Sequence, residues 1–119
     1  MRLPKEIKFF NEYNCYPLWL NNIHEKCTFN VENEKWTLPN INPLWLPISK
    51  ELKQEIEKWD DFYQNLFMNT PKVFKVKEMT LKEKQWFYKK GKELFERLKK
   101  ELPNVKVYYH DMEYEKVVE

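Results

Sequence analysis

The most constraining feature of this chain is the segment 80–109, where a helix with both ends marked runs directly into an alternating strand. Thr80-Leu81-Lys82-Glu83 matches a capping box, the threonine side chain reaching forward and the glutamate reaching back. Phe87, Gly91, Leu94, Leu98 and Leu102 recur at helical spacing with Phe95 beside them, and Pro103 ends the run. Val105-Lys106-Val107-Tyr108-Tyr109 then alternates cleanly, the pattern of a half-buried strand. Gly91 costs about 1 kcal/mol relative to alanine in mid-helix. A close approach of another element at that point would offset the cost.

A second helix precedes this unit. Ser49 is a good N-cap and Glu51 suits the first turn. Leu52, Ile56, Trp59, Tyr63 and Leu66 form one apolar stripe, widened by Phe62 and Phe67, with Asn69-Thr70-Pro71 as the expected stop. At the N-terminus, Ile7 to Phe10 reads as a strand, and Tyr16 to Leu20 as a second extended segment. Pro17 cannot donate to a ladder, so it belongs at a strand start or on an edge. The two segments are expected to form an antiparallel hairpin, with Trp19 feeding the core. Between them and the helix lies a long polar stretch from Asn21. Within it, Cys27 to Val31 and Lys35 to Leu38 read as a minor hairpin or an ordered loop. Val73 to Lys77 reads as a short strand or extended link, and Asp111 to Glu119 as an edge strand or a fraying tail.

Strands at both ends with helices between them imply an α+β two-layer sandwich in a single domain, residues 1–119. The expected sheet is small and mainly antiparallel, built from the N-terminal hairpin and the C-terminal strand. Both long helices cover one of its faces.

Composition removes several function classes. One glycine in 119 residues leaves no phosphate loop and no dinucleotide fingerprint. Net charge of +2 is too close to neutral to imply a nucleic-acid partner by itself. No apolar run approaches the roughly 20 residues that span a bilayer, and no signal-peptide block follows the N-terminal charges. Cys15 and Cys27 form no disulfide framework and are expected to be reduced thiols, so the expected setting is cytoplasmic.

Charge is unevenly placed. The first helix carries Glu51, Glu55, Glu57, Asp60 and Asp61, whereas residues 72–100 are rich in lysine. The two elements are suited to complement each other, and equally to present a charged face to a partner.

Three blocks carry a family resemblance: Tyr13, Cys15, Pro17, Leu18 and Trp19; then Leu46, Pro47, Ile48 and Ser49; then Gly91, Leu94, Leu98, Glu101 and Leu102 before Val105 and Val107. The pattern resembles small uncharacterised bacterial proteins with an N-terminal Tyr-x-Cys-x-Pro-Leu-Trp segment. These in turn are similar to the immunity proteins that accompany bacterial polymorphic toxins. The resemblance implies a bacterial α+β protein and transfers no functional residue.

No constellation rises to a catalytic or cofactor signature. Cys15, His24, Cys27 and His110 are the only route to a four-ligand zinc site, and free thiols are the simpler reading. A nucleophile pair of Cys15 with His24 or His110 lacks an orienting third group and an oxyanion turn. Asp60 and Asp61 are adjacent on a helix and point in different directions, unlike a catalytic carboxylate pair.

The telling residue class is the aromatics left over once the core is assigned, Trp36 and Trp45 among them. Tryptophan and tyrosine are enriched at protein–protein hot spots. The leading expectation is a non-enzymatic protein-binding module of the immunity type, with no cofactor and no metal. Its expected partner contacts are Trp36, Trp45, Glu57, Asp60 and Asp61, and its expected partner is a protein such as a cognate toxin, rather than nucleic acid or a membrane. One alternative is a small-ligand or enzymatic pocket around Tyr13, Cys15 and Trp19. A second is single-stranded nucleic-acid binding through the basic second helix and Trp86, Phe87 and Tyr88. Oligomeric state stays open.

Overall fold

The computed structural model describes residues 3–21, 40–69 and 74–119. Its elements run β1 (Glu6–Phe9), β2 (Leu18–Leu20), β3 (Asn40–Ile41), a 3-10 turn (Pro43–Trp45), α1 (Lys50–Gln64), β4 (Phe67–Asn69), β5 (Phe74–Val76), α2 (Leu81–Glu101), β6 (Lys106–Asp111) and β7 (Lys116–Val118). Five strands form one mixed sheet in the order β3-β2-β1-β6-β7, and β4 and β5 form a separate two-stranded ladder. The fold is α+β, two helices packed on a sheet. Its β1–β2, β2–β3 and β6–β7 pairings are antiparallel, while β1 and β6 run parallel. Alternation along residues 105–109 is the same in either strand direction, so the sequence carries no signal for that parallel pairing.

Ile7, Phe9, Leu18, Val107 and Tyr109 are buried on the helix-covered side, with Leu52, Ile56 and Trp59 of α1 and Phe87, Leu94, Phe95 and Leu98 of α2. The capping box is present in full. Glu83 N donates to Thr80 Oγ1 at 3.2 Å and Thr80 N donates to Glu83 Oε1 at 2.9 Å. Ser49 caps α1 by accepting from Leu52 N, and its own hydroxyl donates to Glu101 Oε2 at 3.0 Å, tying the start of α1 to the end of α2. Lys90–Glu55 at 2.7 Å and Arg97–Glu51 at 3.4 Å join the helices along their exposed seam.

Several sequence expectations are corrected. The first helix stops at Gln64, before Asn69-Thr70-Pro71, because Asn65 caps it and Leu66 turns back to Tyr63 O. Leu66 is buried from outside the helix. β2 is an interior strand, so Pro17 marks its start and not an edge. The pairing that Pro17 cannot make is supplied by a side chain. Asn40 Nδ2 donates to Tyr16 O and Leu18 O, and Asn40 Oδ1 accepts from Tyr16 N. Trp19 does not feed the core. It shares register with Lys8 on the face away from the helices, where it stacks on Phe10 at 5.0 Å. The C-terminal segment does add an edge strand, β7. The two short pieces expected within residues 27–38 lie outside the described residues.

Trp59 lies between Phe9 of β1 at 4.9 Å and Phe87 of α2 at 4.8 Å, and its indole N–H donates to Phe87 O at 2.9 Å. That geometry explains Gly91. A Cβ there would stand 2.5 Å from Tyr109 Oη and 2.9 Å from Trp59 Cζ2. Gly91→Ala gains about 1 kcal/mol of helix propensity but overpacks a buried site, typically at a cost of 1–3 kcal/mol. The variant is expected to unfold at lower urea concentration than wild type. A higher midpoint would mean that the indole and phenol yield easily and that the contact is not tight.

Candidate functional site

Residues 10–17 cross from β1 to β2 over the C-terminal half of α1, and side-chain amides seat them there. Gln64 Nε2 donates to Glu12 O at 2.8 Å and Cys15 O at 3.3 Å, and Gln64 Oε1 accepts from Asn14 N at 2.8 Å. Asn14 takes positive φ, a conformation that asparagine adopts more readily than most residues. Asn11 is buried, and its Nδ2 donates to Asp60 Oδ1 at 2.9 Å. Asn11 Oδ1 has no hydrogen-bond partner among the described residues. Asn42 completes the arrangement by capping the 3-10 turn through Leu44 N and by donating Nδ2 to Tyr16 Oη at 3.3 Å.

These contacts leave a groove of about 290 Å³ between the loop, the 3-10 turn and α1. Tyr16, Pro17, Pro43 and Leu44 form its walls, the fully buried Ile56 of α1 lies behind its base, and Lys53, Glu57, Asp60 and Asp61 supply charge. Tyr16 is 46% exposed and Leu44 68%. A second, shallow cavity shares Tyr16 and Asp60 with the groove and is lined further by Asn14, Cys15, Asn40 and Gln64. A broader depression runs along α2, but its ions are largely engaged, Lys92 with Glu113 and Arg97 with Glu51.

The carboxylates of α1 divide into two sets. Glu51 and Glu55 are taken up by α2, and the Lys90 hydrogen bond holds the Glu55 carboxyl below its usual range. Glu57, Asp60 and Asp61 have no cation within ion-pair distance among the described residues. Asp60 is 9% exposed. Burial pushes its carboxyl up to about 6, against the opposing hydrogen bonds from Asn11 and Gln64.

The structure therefore brings Glu57, Asp60 and Asp61 to one groove. Trp45 is half-buried against the core, and its neighbour Leu44 is the residue that reaches the groove. Trp36, His24 and Cys27 lie outside the described residues. Sequence reading missed Leu44 as a groove residue and Asn11 and Gln64 as supports. An Asn-rich N-terminal loop was the available signal, but nothing in one sequence says which helix those amides meet.

The alternative pocket is not assembled. Tyr13 packs on Phe67 at 4.6 Å, Trp19 lies across the sheet, and Cys15 lines the shallow cavity. Burial, then Glu12 and Asp60, raises the Cys15 thiol, the opposite of a nucleophile's needs. His110 meets Glu115 at 3.5 Å and the edge of Phe10. On α2, Trp86 packs edge-on against Phe62, and Phe87 is buried. No helix among the described residues is long and apolar enough to cross a membrane.

The model of the Serratia CdiI immunity protein-like family matches residues 5–112. The chain belongs to this immunity protein-like family. The matched segment includes every residue of the groove and its supports, and ends before β7. No curated protein matches the chain.

In this family member the Asp60 carboxyl has a clear thermodynamic signature. Its folded value lies above the unfolded one, so its contribution to stability is full below about pH 4 and is lost as pH rises through about 6. The loss is on the order of 2–3 kcal/mol. Asp60→Asn keeps an acceptor for Asn11 and removes the charge. The variant is expected to be more stable than wild type at pH 7.5 and close to it at pH 4, read by urea unfolding. Lower stability than wild type at pH 7.5 would show that the buried charge is supported rather than penalised.

Proposed function

We propose that this protein is a non-enzymatic immunity protein that neutralises a toxin in the bacterial cytoplasm by binding it. The groove face of α1 serves as the contact surface. Family membership supports the immunity role. The observation that carries the surface is the division of the α1 carboxylates. Glu51 and Glu55 are used within the fold, while Glu57 and Asp61, beside exposed Tyr16 and Leu44, have no ion-pair partner among the described residues. A charged rim around an aromatic and aliphatic centre is the usual anatomy of a binding hot spot.

The partner face is basic on this reading. Exposed carboxylates steer a cationic partner and reject acidic ones, acting mainly on association rate. A toxin that acts on nucleic acid would carry such a surface. Asp60 supports the groove from beneath rather than forming its rim.

The test is co-expression with the toxin domain encoded next to this gene. Wild type is expected to protect cells and to co-purify with the toxin. Charge reversal at Glu57 and Asp61 together is expected to weaken binding by at least about tenfold, as loss of one or two hot-spot contacts does, without lowering thermal stability. Absence of any protecting complex would remove the immunity role. Full protection by the reversed variant would move the contact surface elsewhere.

A further inference from the structure

We infer that the groove is built to take one arginine side chain of the partner protein, its guanidinium against Asp60 between Tyr16 and Leu44. The identity of the partner rests on the immunity reading; the chemistry of the occupant rests on the groove alone.

Size is the first argument. At about 290 Å³ the groove falls at the lower limit of small-molecule sites, and suits one long side chain. Its exposed walls, Tyr16 and Leu44, offer apolar surface for an aliphatic stem, backed by the buried Pro17 and Pro43. Charge is the second. Three carboxylates face one ammonium, Lys53, whose Nζ is 3.4 Å from Leu44 O and within ion-pair distance of none of them. The third argument is Asp60 itself. A buried charge is normally paired, yet among the described residues this carboxylate has no cation. Oδ1 accepts a good hydrogen bond from Asn11, while Oδ2 has only Gln64 Nε2 at 3.5 Å. The fold keeps a penalised charge beside a groove and leaves one of its oxygens nearly unused.

Arginine fits better than lysine. A guanidinium sheds water more readily than an ammonium, stacks on an aromatic face, and presents a planar fork to a carboxylate. Tyr16 supplies that face, and its hydroxyl is held by Asn42.

Occupancy should respond to pH. On α1, Lys53, Glu57, Asp61 and Tyr63 surround Asp60; the N-terminal loop adds Glu12, Cys15 and Tyr16, and the 3-10 turn adds no titratable group. Burial holds Cys15 and Tyr63 further toward their neutral forms, so neither gains charge on acidification. Asp60 titrates near 6, and its protonation removes the charge that the guanidinium meets.

The probe is N-acetyl-arginine amide, titrated into the 15N-labelled full chain, with the lysine and citrulline amides as controls. Saturable shifts at the Tyr16, Leu44 and Asp61 amides are expected in the low millimolar range, the affinity usual for a ligand of about fifteen heavy atoms. Lysine amide should bind at least about threefold more weakly, and neutral citrulline amide should not saturate. Affinity for the arginine probe should fall about tenfold from pH 7.5 to pH 5.0, and Asp60→Asn should bind weakly with no such dependence. The same spectra report whether each variant is folded.

Equal shifts with citrulline, shifts at other residues, or an unchanged affinity in Asp60→Asn would each overturn the inference. A chain that protects against its toxin but fails this titration keeps the immunity role and loses the arginine site. One that binds the probe but captures no toxin does the reverse.

Discussion

The structure depends on one aromatic contact, the indole of Trp59 laid across α2 at Gly91. The ring touches Phe9 in the sheet and Phe87 in the helix, and its N–H reaches the Phe87 carbonyl. A side chain at position 91 would occupy that space. The contact therefore sets how closely α1 approaches α2 and fixes both against β1. Tyr109 meets the same point from β6, so the parallel strand pair is joined to both helices there. Much of the remaining burial, from Ile7 to Val107, surrounds this contact.

A polar layer sits on that frame and creates the groove. Asn40 and Gln64 act as substitute backbone for the loop between β1 and β2, Asn42 caps the 3-10 turn, and Asn11 ties the loop to Asp60. The partners of Asn40 and Gln64 are largely main-chain groups, so the loop takes its shape from side chains of β3 and α1. Asp60 is the weak point of this layer. Among the described residues it is buried with one strong hydrogen bond and no cation, beside Asn11 Oδ1 without a partner. Such a carboxylate lowers stability at neutral pH.

Much of the fold is legible in the chain. The capping box at Thr80, the stripe from Leu52 to Trp59 and the alternation at Val105 each report a local preference that the structure keeps. The need for space at Gly91 also follows from its place in mid-helix. Less of the candidate site can be read this way. Glu57 and Asp61 look like any solvated helix face until Glu51 and Glu55 are seen to be occupied by α2. Tyr16 looks like part of a strand until Asn42 is found holding its hydroxyl. Trp19 alternates like a core residue, yet register places it with Lys8 on the opposite face.

The sequence by itself determined the two long helices, the principal strands and the apolar stripes those helices bury, because helix and strand periods and caps act within a few residues of the chain. Only the tertiary structure decided that β6 lies parallel to β1, that Trp59 fills the space over Gly91, and which carboxylates of α1 remain without a cation. Those outcomes join residues some 30 to 100 positions apart, and no local preference encodes such a pairing. The groove belongs to the second kind: its walls come from three separate segments, and its charge is what α2 leaves unneutralised.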